Sequence, residues 1–569
     1  MKAYRHVFLV AIAVFAVSAT FSAALATGAA TIAPERAPRV AVATRATTVA
    51  APKWAVAARR VAPAAKFPTV VVHVAVRSPE ATDAGPGSAA TPFRTIQHAI
   101  DVAEANNGRG VATTVDVKPG VYREYLQFEP PSRQTAAPII VQGPSTNDAI
   151  VSAADVWTGW VRSANGLYTH PWPYQWGPAP IPAGWEDAGV TPIVQRRETL
   201  FVNGVLLRQV LSASALHSVA GGAFFVSEPS QTVYVKPPHG VSLAHALVEV
   251  GARARVLLED GQNHVTIRRL RFKGATTAFA PAGILVGVSN VQLDRVTFGW
   301  NNWTGFEVDD GVNVTVSNST FDHNGAMGIS GQRNRNLVLL NDENSYNNWR
   351  GAWGGMRLWE NGMKLSSTHG ARITHFVAVG NQAPGMWLDT DNRNVTISNS
   401  KFEHNAIDGI LLEANQGPVT LQSNVVCDNG RAGIFDGRTN SVSVVANHSF
   451  GNTTAQLLFS GSPLVRSVTD WQTGVTTDVR SEGWTIRNNT FGGSGTSQLL
   501  VGGWGVPAPA WTLMADTMHA RDDTYIHDDT SRPFWIPGTN ERGSIGNWIA
   551  ASGETGSRFS TGRVSFACK

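Results

Sequence analysis

Between Val291 and Asn440 the chain repeats itself. Five lines, VQLDRVTFGWNNWTGFEV, VTVSNSTFDHNGAMGIS, ITHFVAVGNQAPGMWLD, VTISNSKFEHNAIDGILLE and VTLQSNVVCDNGRAGIFD, each carry an asparagine with a glycine close behind it. Read as one series, Asn302, Asn324, Asn347, Asn381, Asn405 and Asn429 are 22, 23, 34, 24 and 24 residues apart. The long step holds a Trp- and Gly-rich insert around residues 353–360. A period in the low twenties, made of short alternating strands with no helical pattern, is that of a β-solenoid. Leucine-rich repeats share the period but need a leucine ladder that these lines lack.

Each line splits into two alternating strands. In the line from Val395, Val395, Ile397 and Phe402 point one way and Thr396, Ser398 and Lys401 the other. After the corner glycine, Ile410 and Leu412 share one face, Leu411 and Glu413 the opposite one. Glycine is expected to permit a bend, and asparagine to tolerate left-handed backbone or bond its own turn. The repeated asparagines are expected to form an internal hydrogen-bonded ladder. No single coil can bury its apolar face, so the coils must stack, about 4.8 Å apart. The expected fold class is all-β: a parallel β-helix (solenoid) with an N-terminal capping helix and an inserted small β subdomain.

Five regions follow along the chain. Residues 1–26 have a positive start, an apolar run from Val7 to Val17 and the small residues Ala24-Leu25-Ala26, the pattern of a secretory signal. That run is short for a membrane span. Residues 27–66, rich in Ala, Pro, Val and Thr, read as a disordered linker. In 67–154, Ile96, Ala99, Ile100 and Ala103 form one helical face behind Thr95, suited to cap the exposed end of a coil. Residues 155–247 break the repeat with Trp157, Trp160, Trp172 and Trp176 and turns at Asn203-Gly204 and Pro237-Pro238, an inserted β subdomain. Residues 248–569 hold the main coil and its closing segment, interrupted by a polar loop at 460–482. Cys427 and Cys568 are too few for a disulfide scaffold; they either pair or stay as free buried thiols.

The chemistry these residues can support follows from alignment on the corner glycines. Positions one and three after glycine are mostly apolar (Met363, Leu365, Met386, Leu388, Ile410, Leu412) and must face inward. Positions two and four then put Glu307, Asp309, Lys364, Trp387, Asp389 and Glu413 on one outer face, with Asp391 and Arg393 just beyond. Lys364, Asp389, Glu413 and Arg393 are the candidate catalytic groups. Trp387, Trp353, Trp359, Arg357, Glu307 and His369 are candidates for binding a sugar, since aromatic faces suit sugar rings. Carboxylates on neighbouring coils repel unless a proton or cation sits between them. That makes Asp389, Asp391 and Glu413 candidate ligands for calcium, which takes oxygen donors.

Net charge is only +4, with no basic stripe, which argues against a nucleic-acid partner. No P-loop, EF-hand loop, zinc spacing or GxSxG elbow is present.

The run from Pro92 to Glu124, with Pro-Phe-Arg-Thr-Ile-Gln and Pro-Gly-Val-Tyr-Arg-Glu, resembles the opening segment of secreted right-handed parallel β-helix proteins, many of which act on polysaccharides. The segment Asn361-Gly-Met-Lys-Leu, followed by Asn381 and Gly385-Met-Trp-Leu-Asp, resembles the catalytic coil of family 9 pectate lyases. That resemblance implies that Lys364 is the Brønsted base of a β-elimination. The aspartate cluster those lyases carry before the lysine has no counterpart in Asn347-Asn-Trp-Arg-Gly or Asn324-Gly-Ala-Met-Gly. The resulting expectation is a secreted (extracellular or periplasmic), monomeric protein with a polysaccharide substrate and no membrane span after signal cleavage. A lyase acting on a uronate polymer comes first. A glycoside hydrolase using Asp389 and Glu413, roughly 5 Å apart on adjacent coils, comes second. A non-catalytic glycan-binding surface comes third.

Overall fold

The computed structural model describes residues 66–184, 190–350, 362–460, 465–539, 541–564 and 568. Lys66, Phe67, Ala183 and Gly184 belong to a small separate unit; everything below concerns the larger one. The signal and linker expected at 1–26 and 27–66 lie outside the described residues, Lys66 apart.

Three sheets of thirteen strands each make the coil, and neighbours in each sheet are successive turns of the chain. One full coil runs from Phe306–Asp309 on the second sheet, through Thr315–Ser317 on the first, to Thr320–Asp322 on the third. The pairing is parallel, apart from the closing pair Phe534–Ile536 with Glu541–Gly543. Inward residues of all three sheets merge into one apolar column reaching from Val72 to Trp548. Its first end is covered by the helix Ile96–Gly108, capped by the Thr95 hydroxyl and burying Ile96, Ala99, Ile100 and Ala103. The other end is covered by the helices Ala508–Thr517 and Ile545–Ser552, whose Trp511 and Trp548 join the core.

The asparagine ladder exists, but its first member is Asn301, not Asn302. Each Nδ2 donates to the Oδ1 one coil on: Asn301 to Asn324 at 3.0 Å, Asn324 to Asn347 at 3.1 Å, Asn381 to Asn405 at 2.9 Å and Asn405 to Asn429 at 3.0 Å. Asn302 instead donates outward to the Thr277 and Arg196 carbonyls. The other two corners carry ladders of their own, through Asn392 and Asn415, and through Asn424, Asn447 and Asn489.

Two expectations about the corner change. The left-handed residue is the one before the asparagine: Trp300, His323, Tyr346, His404 and Asp428 all have φ between 51° and 58°. Each such residue costs roughly 1–2 kcal/mol, which ladder bonds of about 1 kcal/mol apiece help offset. The glycine, for its part, supplies room. A Cβ on Gly385 would lie 2.7 Å from Asn405 Nδ2 and 2.8 Å from the Gly409 carbonyl.

Within 155–247 the described residues include antiparallel pairs such as Ala223–Ser227 against Thr232–Lys236, and Leu200–Val202 pairs antiparallel with Val248–Gly251 just beyond the expected boundary. Trp160 and Trp172 are buried in that insert's own core, with Trp157 and Trp176 packed on it, so these aromatics are structural. Cys427 and Cys568 are joined as a disulfide.

Candidate functional site

The second sheet is the one flanked by additions. The insert 155–247 leaves the coil at the corner between the third and second sheets and bonds back there: Asn302 Nδ2 donates to the Arg196 carbonyl at 3.1 Å and Arg350 Nη1 to that of Ile193 at 2.9 Å. At the opposite corner the loop after Ala455–Ser460 folds into a hairpin, Arg466–Thr469 paired with Thr476–Val479. The outer face between these additions is a sheltered trough. Alternation decides what it contains. Glu307, Ser330, Lys364, Trp387 and Leu411 pair in one row. Asp309, Gln332, Ser366, Asp389, Glu413 and Gly437 pair in the next. Met363, Leu365, Met386, Leu388, Ile410 and Leu412 are all in the apolar column. A one-residue slip would have exchanged the two sets.

Lys364 Nζ lies 2.9 Å from Asp389 Oδ2 and 3.8 Å over the Trp387 ring. Asp389 Oδ1 accepts a bond from the Thr390 hydroxyl at 2.8 Å. One coil on, Glu413 Oε1 accepts from Arg466 Nη1 at 2.8 Å and pairs with Arg438 at 3.3 Å. The two carboxyls are pushed in opposite directions. Burial alone would raise Asp389, but Lys364, Arg466 and the hydroxyl of Thr390 outweigh it and hold the group below the usual aspartate value. Burial and the neighbouring Asp389 charge raise Glu413, against the pull of Arg466 and Arg438.

The remaining sequence candidates go elsewhere. Arg393, expected to be catalytic, bridges Asp391 at 3.2 Å and Asp470 at 3.1 Å. Asp391, expected to bind metal, accepts from the Trp471 backbone at 2.9 Å and Gln416 at 3.0 Å. His369, expected to bind substrate, pairs with Asp391 at 3.5 Å and with Gln472 at 3.0 Å. Burial would lower the imidazole pKa, but its bonds to Asp391 and Gln472 raise it. Together these three fasten the hairpin to the coil. Glu307 bonds Ser330 at 2.6 Å and stands two coils from Lys364, roughly 10 Å along the sheet. Trp353, Trp359 and Arg357 lie outside the described residues. Arg438, Arg466 and the hairpin were not picked out by sequence reasoning; the available signal was the break in the repeat at 460.

The residues do not fit calcium as they stand. The donor oxygens of Asp389, Asp391 and Glu413 face Lys364, Arg393 and Arg466, so cationic side chains already supply the counter-charge that a divalent ion would bring. His369, Asp391 and Asp470 have donor atoms within 4.8 Å of one another, but Arg393 ties their two carboxylates together.

Residues 257–450 match the family described as right handed beta helix region. The solved structure of XylC in complex with xylose is similar over 83% of this chain and 86% of that one, with 14% identity and a TM-score of 0.63. The fold is a right-handed parallel β-helix. A glycoside hydrolase (11% identity, 76% of this chain and 94% of that one, TM-score 0.46) and the A-module of the Azotobacter vinelandii mannuronan C-5 epimerase AlgE4 (15%, 83% and 94%, 0.43) are more distantly similar. No curated protein matches the sequence. At these identities what the β-helices share is architecture, and function has to be argued from the trough.

Proposed function

We propose that the protein is a carbohydrate-active β-helix enzyme that hydrolyses a glycosidic bond with retention of configuration. The observation that carries this is the pair Asp389 and Glu413, in register on adjacent strands with pKa values displaced in opposite directions. Strands about 4.8 Å apart give a carboxyl separation close to the roughly 5–5.5 Å of retaining enzymes. Two carboxyls whose surroundings drive their pKa values apart divide the work of nucleophile and acid. Asp389, held ionised, attacks the anomeric carbon. Glu413, the carboxyl that keeps its proton longer, gives it to the departing oxygen and then draws a proton from the water that frees the sugar. Lys364 holds Asp389 in place, and the Trp387 ring in turn holds the Lys364 ammonium.

The lyase chemistry implied by the resemblance around Lys364 asks more of this site. A base must be neutral, whereas Lys364 is engaged as a cation by a carboxylate and a ring face. The ionised Asp389 also favours a neutral sugar at the point of cleavage, and the fold neighbour XylC holds xylose. Action outside the cytoplasm is part of this reading, supported by the signal-like first 26 residues and the Cys427–Cys568 disulfide. Among the described residues no helix is long and apolar enough to cross a membrane.

The test is a panel of plant and bacterial polysaccharides and aryl glycosides, followed by anomeric proton NMR. New reducing ends of retained configuration, without ultraviolet absorbance, are expected. An unsaturated uronate product would replace hydrolysis with elimination. No turnover of any substrate by the folded protein would leave a glycan-binding surface.

A further inference from the structure

The trough continues past Glu413, and its character changes there. The next residue in the Asp389–Glu413 row is Gly437, which leaves the floor without a side chain. Beyond it opens a cleft of about 130 Å³ lined by Arg438, Arg480, Ser460 and Ser481, with Phe459 and Leu513 among its apolar wall. Arg480 follows the second hairpin strand, and Ser481 pins it by donating to the buried Asp436. Arg480, whose side chain is 36% exposed, has its Nε 3.9 Å from the Glu482 carboxylate, and that Nε is shielded from water with no hydrogen-bond acceptor among the described residues. Arg438 stands between this cleft and Glu413.

An enclosed guanidinium N–H without a partner is costly unless a ligand completes it. The Arg480 guanidinium, with the charge of Arg438 beside it already paired to Glu413, selects a carboxylate, which can take two N–H donors at once. Direction follows from the chemistry already assigned. An acid lies on the leaving-group side of the bond it breaks, and Glu413 is one coil nearer the cleft than Asp389.

We propose that the Arg438–Arg480 cleft is the leaving-group subsite and that it takes a carboxylate-bearing sugar, a uronate, whose apolar ring face rests on the wall formed by Val506 and Leu513. This rests on Glu413 being the acid. The substrate is then a glycan in which a neutral sugar is attached to a uronate.

The test is a binding titration that does not depend on turnover, with sodium D-glucuronate, its methyl ester and benzoate as probes. Glucuronate is expected to bind the full-length protein at least tenfold more tightly than the ester. Arg480→Gln should remove that difference and Arg480→Lys restore part of it. Equal binding of acid and ester by the wild-type protein, or a difference that survives Arg480→Gln, overturns the proposal. Benzoate binding as well as glucuronate overturns the sugar assignment. Glucuronate binding that depends on Arg480, in a protein that cleaves no glycoside, keeps the cleft and removes the hydrolase. Equal cleavage of uronate-linked and carbinol-linked glycosides does the reverse.

Discussion

Two pairs of acids sit on the same outer face, and they differ in what neutralises them. Asp309 and Asp389 occupy the same row and are nearly equally hidden, 7% and 5% exposed. Yet burial and the neighbouring Glu307 raise Asp309 far above the usual aspartate value, while Asp389 is lowered. Burial therefore does not separate them. Asp389 has an ammonium at 2.9 Å, whereas Asp309 accepts from the neutral Gln332 amide at 2.8 Å. The nearest arginine, Arg333, is committed to Asp310. A proton does for one pair what cations do for the other. In the proposed mechanism the cation-backed pair supplies both groups: Asp389, with its pKa lowered, as nucleophile and Glu413, with its pKa raised, as acid.

The sharpest way to break this contrast is to remove the ionised member. Asp389→Asn should lower kcat on every glycoside by about 10⁴-fold or more, measured at saturating substrate, with the fold intact. Glu413→Gln should cost about 10³-fold on substrates with poor leaving groups and far less on nitrophenyl glycosides, which depart without a proton. It should also abolish the alkaline limb of the pH–rate profile, because that limb reports loss of the Glu413 proton.

Lys364→Met turns the second pair toward the first. Without the ammonium the Asp389 pKa rises, so the acidic limb of kcat/KM should move to higher pH, with an overall loss of about 10- to 100-fold. The smallest effect is expected at the other pair. The folded-state pKa of Asp309 lies above its unfolded value, so the native state holds a proton that the unfolded chain releases. Stability is then lost as pH rises from near 3.8 through the folded value. Asp309→Asn should remove that loss. Its melting temperature should match the wild type near pH 4 and exceed it by a few degrees at pH 8.

What the sequence made legible follows from alternation. Wherever a strand lies in the coil, the two-residue period states which way each side chain points, so Lys364, Trp387, Asp389 and Glu413 were placed on one face correctly. Beyond the strand end the rule lapses. Thr390 and Asp391 both have left-handed backbone, with φ of 46° and 56°, and turn Asp391 and Arg393 toward the hairpin. The row Arg335, His369, Arg393 runs along that corner as isolated bridges, and there His369 and Arg393 bond Asp391 and the hairpin. Arg438, Arg466 and Arg480 come from a turn and from the segment that interrupts the repeat, where no periodicity says what meets what. The sequence reading puts Asn302 in the ladder because Asn301 and Asn302 are adjacent and each is followed by the same corner glycine, Gly305. The even spacing of 23 residues picks out Asn301.

The ladders also bear on how such a chain can vary. The bond from Asn347 to Asn381 spans 34 residues and that from Asn447 to Asn489 spans 42, yet both measure 3.1 Å, the length found across the 23-residue step from Asn324 to Asn347. The amide stack does not register how much polypeptide passes outside it. Lengthening or exchanging the outgrowths at a corner therefore leaves the scaffold untouched, so new specificity can be acquired by grafting at the rims without renegotiating the interior.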